Sequence, residues 1–170
     1  EEVAQEKLTY LTVGTKNSKL GKYISELLKT KYIISTVSND MIGIEYSSSL
    51  KNIYSIMVGI AHGLGYGDNF LSVLISHCSK EMSDFIKDVH KTNRKINQSA
   101  YLGDLLVTTY SSFSRNRTFG NMIGKGYSIK SAKAEMNMVV EGYYATKNAF
   151  MLSKKLSTKF LIIDFCHKIL

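Results

Sequence analysis

The apolar pattern of this chain changes period at Ser38-Asn39-Asp40, and no other feature restricts its fold as much. Upstream, residues 8–15 alternate and are rich in β-branched and aromatic types, which predicts a strand. Leu20, Ile24, Leu27 and Leu28 then recur at helical spacing within 18–30. The run from Tyr32 to Val37 reads as a second strand. Strand, helix, strand is the grammar of an α/β layer. Three elements are too few to bury a core by themselves. Residues 1–38 therefore read as the end of a larger sheet domain, in keeping with a first residue that is not Met.

Downstream, residues 39–170 are expected to be all helix. Asn39 or Asp40 caps a helix running to about Leu64, with Ile44, Ser48, Lys51 and Ser55 roughly along one face. Asp68 or Asn69 caps the next, carrying Phe70 through Ile86. Residues 92–99 are polar and predict a loop. Further helices are expected over 104–109, 115–123, a short one from Ser128, 141–156 and 160–170. The chain of 170 residues contains no proline, against an ordinary content of about 5%, which suits long helices.

Composition narrows the function. Hydrophobic residues make up 44% and charged residues 21%, as in a folded domain rather than a disordered tail. No run approaches the roughly 18–20 apolar residues of a membrane span, and the start has no secretory pattern. Two cysteines, Cys78 and Cys166, cannot build a disulfide framework, so a reducing cytoplasm is the expected location. The four histidines show no ligand spacing, and no metal site is expected. The net charge of +8 favours anionic partners. The basic residues are scattered, which argues against nucleic acid and for a small phosphorylated ligand.

Two glycine-rich stretches look like phosphate loops and fail on spacing. Gly63-Leu64-Gly65-Tyr66-Gly67 has Asp68 where a dinucleotide fingerprint needs glycine, and it follows a helix, so a helix-ending turn is the better reading. Gly120 to Gly126 is one residue short of a Walker loop and has Gly126 in place of Ser or Thr. Two other clusters carry more. Lys51 follows Ser47-Ser48-Ser49-Leu50, and a lysine among small residues can be approached closely and exchange a proton with a ligand. The plainer reading is a snorkelling lysine. Ser114-Arg115-Asn116-Arg117 sits at an expected helix start, where backbone N–H groups and a guanidinium suit a phosphate. An exposed basic turn is the plainer reading there. Asp104 orients an ammonium or caps a helix, and Glu141 at a helix start suits capping or the helix dipole.

In order along the chain, six pieces resemble one family. They are Asn39 to Glu45, Leu50-Lys51-Asn52, Gly59 to Asn69, Gly103-Asp104-Leu105, Ser114 to Gly120, and Val139-Val140-Glu141-Gly142. Together they are similar to the substrate domain of NAD(P)-dependent glycerol-3-phosphate dehydrogenase of the bacterial type. The resemblance implies a mainly α fold: an all-helical substrate domain of the 6-phosphogluconate-dehydrogenase C-terminal-like type over 39–170, preceded by a strand–helix–strand remnant of a Rossmann domain over 1–38. It implies interconversion of dihydroxyacetone phosphate and sn-glycerol 3-phosphate for phospholipid synthesis, with NAD or NADP held largely by a domain outside this sequence. It makes Lys51 the proton-transferring residue and Asp104 the acid that orients it. Ser114, Arg115 and Asn116 become the substrate-binding triplet, with Asn52 and Thr108 as neighbours. Arg115, Val139 and Glu141 fall on the cofactor side. Ser112 stands where relatives often carry proline, so that turn is expected to be looser. A homodimer stays open as the assembly. Two other classes stay open as well: a non-catalytic helical binding or dimerisation module, and a related two-domain hydroxy-acid dehydrogenase.

Overall fold

Residues 2–170 are described by a computed structural model of the chain. It opens with an α/β layer: β1 (Thr9–Gly14), α1 (Ser18–Leu28) and β2 (Ile33–Ser38). The two strands pair in parallel, Thr9 opposite Ile33 and Gly14 opposite Ser38. Asn17 caps α1 by accepting from the N–H groups of Lys19 and Leu20. Gly21 is the only buried residue of α1, because it packs against Val37 and Thr15. This layer is thin, as the sequence pattern indicates.

The helical body follows: α2 (Met41–Gly63), α3 (Asp68–Val89), α4 (Asp104–Tyr110), α5 (Arg115–Gly124), α6 (Ile129–Glu135), α7 (Glu141–Ser153) and α8 (Leu161–Ile169). The expected helices are all present, with three corrections. Neither Asp68 nor Asn69 caps α3; Gly67 does, with no side-chain bond, and Asp68 lies inside the first turn where its charge faces the helix dipole. A π-helical turn, Ser99–Gly103, precedes α4 and escapes a search tuned to a 3.6-residue period. The helix α7 stops at Ser153, short of Leu156, where the Ser153 hydroxyl bonds back to the Phe150 carbonyl.

The centre of the molecule is α2. Leu50, Ile53, Tyr54, Ile56 and Val58 are buried on all sides of it, the pattern of a helix surrounded by others. Around it lie Ile75, Met82, Phe85 and Ile86 of α3, Phe119 of α5, and Ile163 and Cys166 of α8, all buried. The Phe85 and Phe160 rings meet with centroids 4.9 Å apart. Each such side chain contributes about 1.5–3 kcal/mol by leaving water. Burial also pushes the Cys166 thiol up to about 12, and Cys78 is raised by the same cause, so both are inert packing groups.

The helices α2 and α5 touch backbone to backbone. A Cβ at Gly120 would strike the Ile56 carbonyl, one at Gly124 the Ile60 carbonyl, and one at Gly59 the Arg117 carbonyl. Of the glycines in the two rejected phosphate loops, Gly63, Gly120 and Gly124 therefore serve helix packing, Gly65 and Gly126, at φ +90° and +92°, make the turns that end α2 and α5, and Gly67 stands in open space.

Candidate active site

Two rows of contacts run along α2, one a ladder of polar bonds and the other mostly glycine packing. On one face Ser47, Lys51 and Ser55 lie one turn apart. The Ser47 hydroxyl donates to the Ala100 carbonyl at 3.0 Å, and the Ser55 hydroxyl to the Thr108 carbonyl at 2.9 Å. Between them Lys51 Nζ donates to both oxygens of Asp104, at 2.7 and 2.6 Å. All three pairs are separated by 53 residues, so α4 is seated on α2 in one register. On a second face Asn52 Oδ1 accepts from Asn116 Nδ2 at 3.0 Å, next to the glycine crossing with α5. Lys51 and Asn52 stand where the two rows meet.

The Lys51 side chain is 20% exposed and that of Asp104 36%. An ion pair this accessible is charge-paired without being sealed from a ligand. Lys51 opens into a cavity of about 400 Å³ that Asn52, Thr108, Ser114, Arg115, Asn116 and Glu141 also line. Asp104 faces a neighbouring cavity of about 450 Å³ against β1, and Ser48 and Val107 border both. The pair thus stands in the partition between two clefts.

Arg115 leaves the first turn of α5 and donates from Nη2 to Glu141 Oε1 at 2.7 Å, with Nη1 3.4 Å from Met138 Sδ. Val139 is 64% exposed beside Met138 and lines neither cavity. The remaining candidates are occupied internally. Ser55 gives its only proton to the Thr108 carbonyl, so in its 3.0 Å contact with Ser114 the Ser114 hydroxyl is the donor. Ser114 also caps α5 by accepting from the Arg117 N–H. Thr108 donates to the Asp104 carbonyl at 2.7 Å. Asn116, 4% exposed, accepts from the Gly142 N–H at 2.9 Å. Its side chain is a rivet between α2, α5 and α7. The turn at Ser112 is held by the Ser114 N–H to the Ser111 carbonyl and the Phe113 N–H to the Ser111 hydroxyl.

One cluster lies outside the sequence-based candidates. Asp40, the cap of α2, accepts from Arg94 Nε, from Arg94 Nη2 at 3.0 Å, from the Tyr101 hydroxyl at 2.5 Å and from the Gly43 N–H at 3.1 Å. Burial pushes its carboxyl up, but the bonds from Arg94, Tyr101 and Gly43 together outweigh that and hold it below the usual range. Burial and the same carboxylate raise the Tyr101 hydroxyl to about 12. These partners lie 54 and 61 residues from Asp40, so no local pattern reveals them. Among the described residues no group of three or more His, Cys, Asp or Glu could hold a metal, and no helix is long and apolar enough to cross a membrane.

Comparison with known proteins gives the same outline. The family model of the NAD-dependent glycerol-3-phosphate dehydrogenase C-terminus matches residues 40–170. Glycerol-3-phosphate dehydrogenase [NAD(P)+] of Bacillus velezensis is 36% identical over all 170 residues, which cover 49% of that protein. The Staphylococcus haemolyticus protein of the same name is 34% identical, with 51% of it covered. The crystal structure of glycerol-3-phosphate dehydrogenase from Coxiella burnetii superposes with a TM-score of 0.92 at 31% identity, over 99% of this chain and 52% of that one. The Plasmodium falciparum glycerol-3-phosphate dehydrogenase structure, at 20% identity and a TM-score of 0.88 over 99% of this chain and 49% of that one, shares the fold. The chain spans about half the length of the curated relatives it matches. With more than three quarters of its residues under that one model and a mainly helical body to match, the chain belongs to the NAD-dependent glycerol-3-phosphate dehydrogenase family.

Proposed function

We propose that the whole protein reversibly reduces dihydroxyacetone phosphate to sn-glycerol 3-phosphate, with Lys51 as its proton-transferring residue. The observation that carries this is one cavity of about 400 Å³ lined by both Lys51 and Arg115. That volume suits a three-carbon phosphate. In this reading the ammonium donates a hydrogen bond to the ketone oxygen and passes it a proton as negative charge develops there. Asp104 holds the ammonium in position. Asn52, fixed by Asn116, forms part of the wall next to it. Arg115 grips the phosphate, assisted by the backbone N–H groups of Arg115 and Asn116, which have no acceptor within the helix, that of Arg117 being capped by Ser114. Ser114 and Asn116 contribute by shaping this helix start, since their side chains are engaged elsewhere.

The cofactor side is tested by the chemistry of the rim. Arg115 and Glu141 form an accessible ion pair, with exposed Phe113, Met138 and Val139 nearby. A cation, a carboxylate and an apolar surface fit a nicotinamide ring with its carboxamide and the adjoining phosphates. When bound, NAD or NADP supplies or accepts the hydride. We also read 1–38 as the end of the cofactor-binding domain and 39–170 as the substrate domain. The expected setting is a reducing cytoplasm. A homodimer is one assembly this surface suits, with exposed Leu64, Phe70, Leu161 and Phe165 around one apolar groove.

The test is turnover of dihydroxyacetone phosphate by the whole protein with each reduced nucleotide. Lys51→Ala should lower it by at least ~100-fold. Near-normal turnover removes Lys51 from the chemistry.

A further inference from the structure

Asp104 has to sit under Lys51, yet the chain leading to it is poorly secured. Residues 90–98 join α3 to the π-helical turn and are mostly exposed and polar. Ile96 is their one apolar side chain against the core, so burial of apolar surface does little to fix their path. The Asp40 carboxylate fixes it instead. Arg94, whose side chain is 8% exposed, reaches it from within the loop, and Tyr101 reaches it from the turn. Arg94 also donates to the His90 carbonyl at 2.7 Å, so the loop is tied back to the end of α3. One carboxylate at the first residue before α2 therefore pins both flanks of 94–101. The Ser47 contact to the Ala100 carbonyl continues the same line, and Lys51–Asp104 is its next rung.

We propose that Arg94 and Tyr101, acting through Asp40, are positioning residues that set the register of α4 and so keep Asp104 beneath Lys51. A slip of one residue would turn Asp104 by about 100° about the helix axis and away from the ammonium. The clamp also sits where β2 passes into α2, and Thr12 of β1 lies 3.3 Å from the Ser99 hydroxyl. The seating of the α/β layer and the placing of Asp104 thus share one fastening. Its meaning for catalysis rests on the reading of Lys51 and Asp104 given above; its meaning for geometry does not.

The chain itself serves for the test, with Arg94→Met, Arg94→Lys and Tyr101→Phe. Amide hydrogen exchange is followed in α4, with α7 and α8 as internal references. The ¹⁵N–¹H signal of the Lys51 ammonium, which persists only while the group is paired, is the second readout. Arg94→Met and Tyr101→Phe should each raise exchange in α4 by roughly 10-fold relative to the references and erase the ammonium signal. Arg94→Lys should restore part of both. An unchanged α4, an equal rise in α7 and α8, or an intact ammonium signal in both Arg94→Met and Tyr101→Phe overturns the proposal. In the whole protein the same two variants should lower kcat while KM stays within about 2-fold. A wild-type protein that leaves dihydroxyacetone phosphate untouched refutes the assigned reaction, while exchange and the ammonium signal still decide the positioning.

Discussion

Single side chains here are mostly fixed by what their neighbours already hold. Ser114 illustrates the point: its proton goes to Ser55 because Ser55 has given its own away, so that hydroxyl has no proton left to donate to a ligand. Arg115 is the cation left facing the cavity mouth, and Arg115→Leu should raise KM for dihydroxyacetone phosphate by at least ~10-fold while changing the response to unphosphorylated dihydroxyacetone far less. Equal losses with both compounds would put the phosphate elsewhere. Asp40 gives a pH prediction. Its carboxyl is held below the ordinary range in the folded chain, so its stabilising effect is complete above the unfolded value and disappears as pH falls through the folded one. Urea midpoints of wild type and Asp40→Asn should differ at neutral pH and converge below about pH 4. Lys51 stood out in the sequence because small residues precede it, although the residues alone favoured a snorkelling lysine and only the family resemblance gave it a role. The Asp40, Arg94 and Tyr101 cluster did not, because its members are brought together only by the fold.

Helix-to-helix contacts depend on groups whose role the sequence disguised. Gly63, Gly120 and Gly124 stood in stretches shaped like turns and phosphate loops, and local spacing could not say that Gly63 faces Gly124 across the crossing of α2 and α5. Gly120→Ala should cost about 3 kcal/mol or more, since the added carbon meets a carbonyl that a helix cannot retract, as chemical denaturation would measure. The start of α8 depends on a carboxylate from α3. Glu81 accepts from the Ile162 and Ile163 N–H groups at 2.8 and 3.0 Å, a long-range cap for a helix that has no capping side chain of its own. Burial raises Glu81 despite those two bonds. Glu81→Ala should destabilise the chain by about 2 kcal/mol and expose α8 amides to exchange before those of α5. Helix existence was readable from apolar period and cap residues; the missed cap at Gly67 and the π-helical turn were not, because backbone geometry without a side-chain signature leaves no trace in the sequence.

The molecule as a whole is unequal in its parts. Two strands and one helix with a single buried glycine make a weak layer, while α2 is buried throughout residues 53–61. Amides of β1 and β2 should therefore exchange at least ~100-fold faster than those in the middle of α2. Equal protection would mean that the layer is stabilised by contacts beyond its own three elements. The alternation of strand and helix in the first 38 residues was visible at once, whereas the way the layer leans on the Ser99 turn depends on hydroxyls 87 residues apart. The two rows of contacts along α2 have a consequence for inheritance. Deleting or inserting one residue between Ser47 and Gly63 would rotate everything beyond it by about 100° and disengage two neighbouring helices together, so lineages carrying this domain should keep that stretch at constant length.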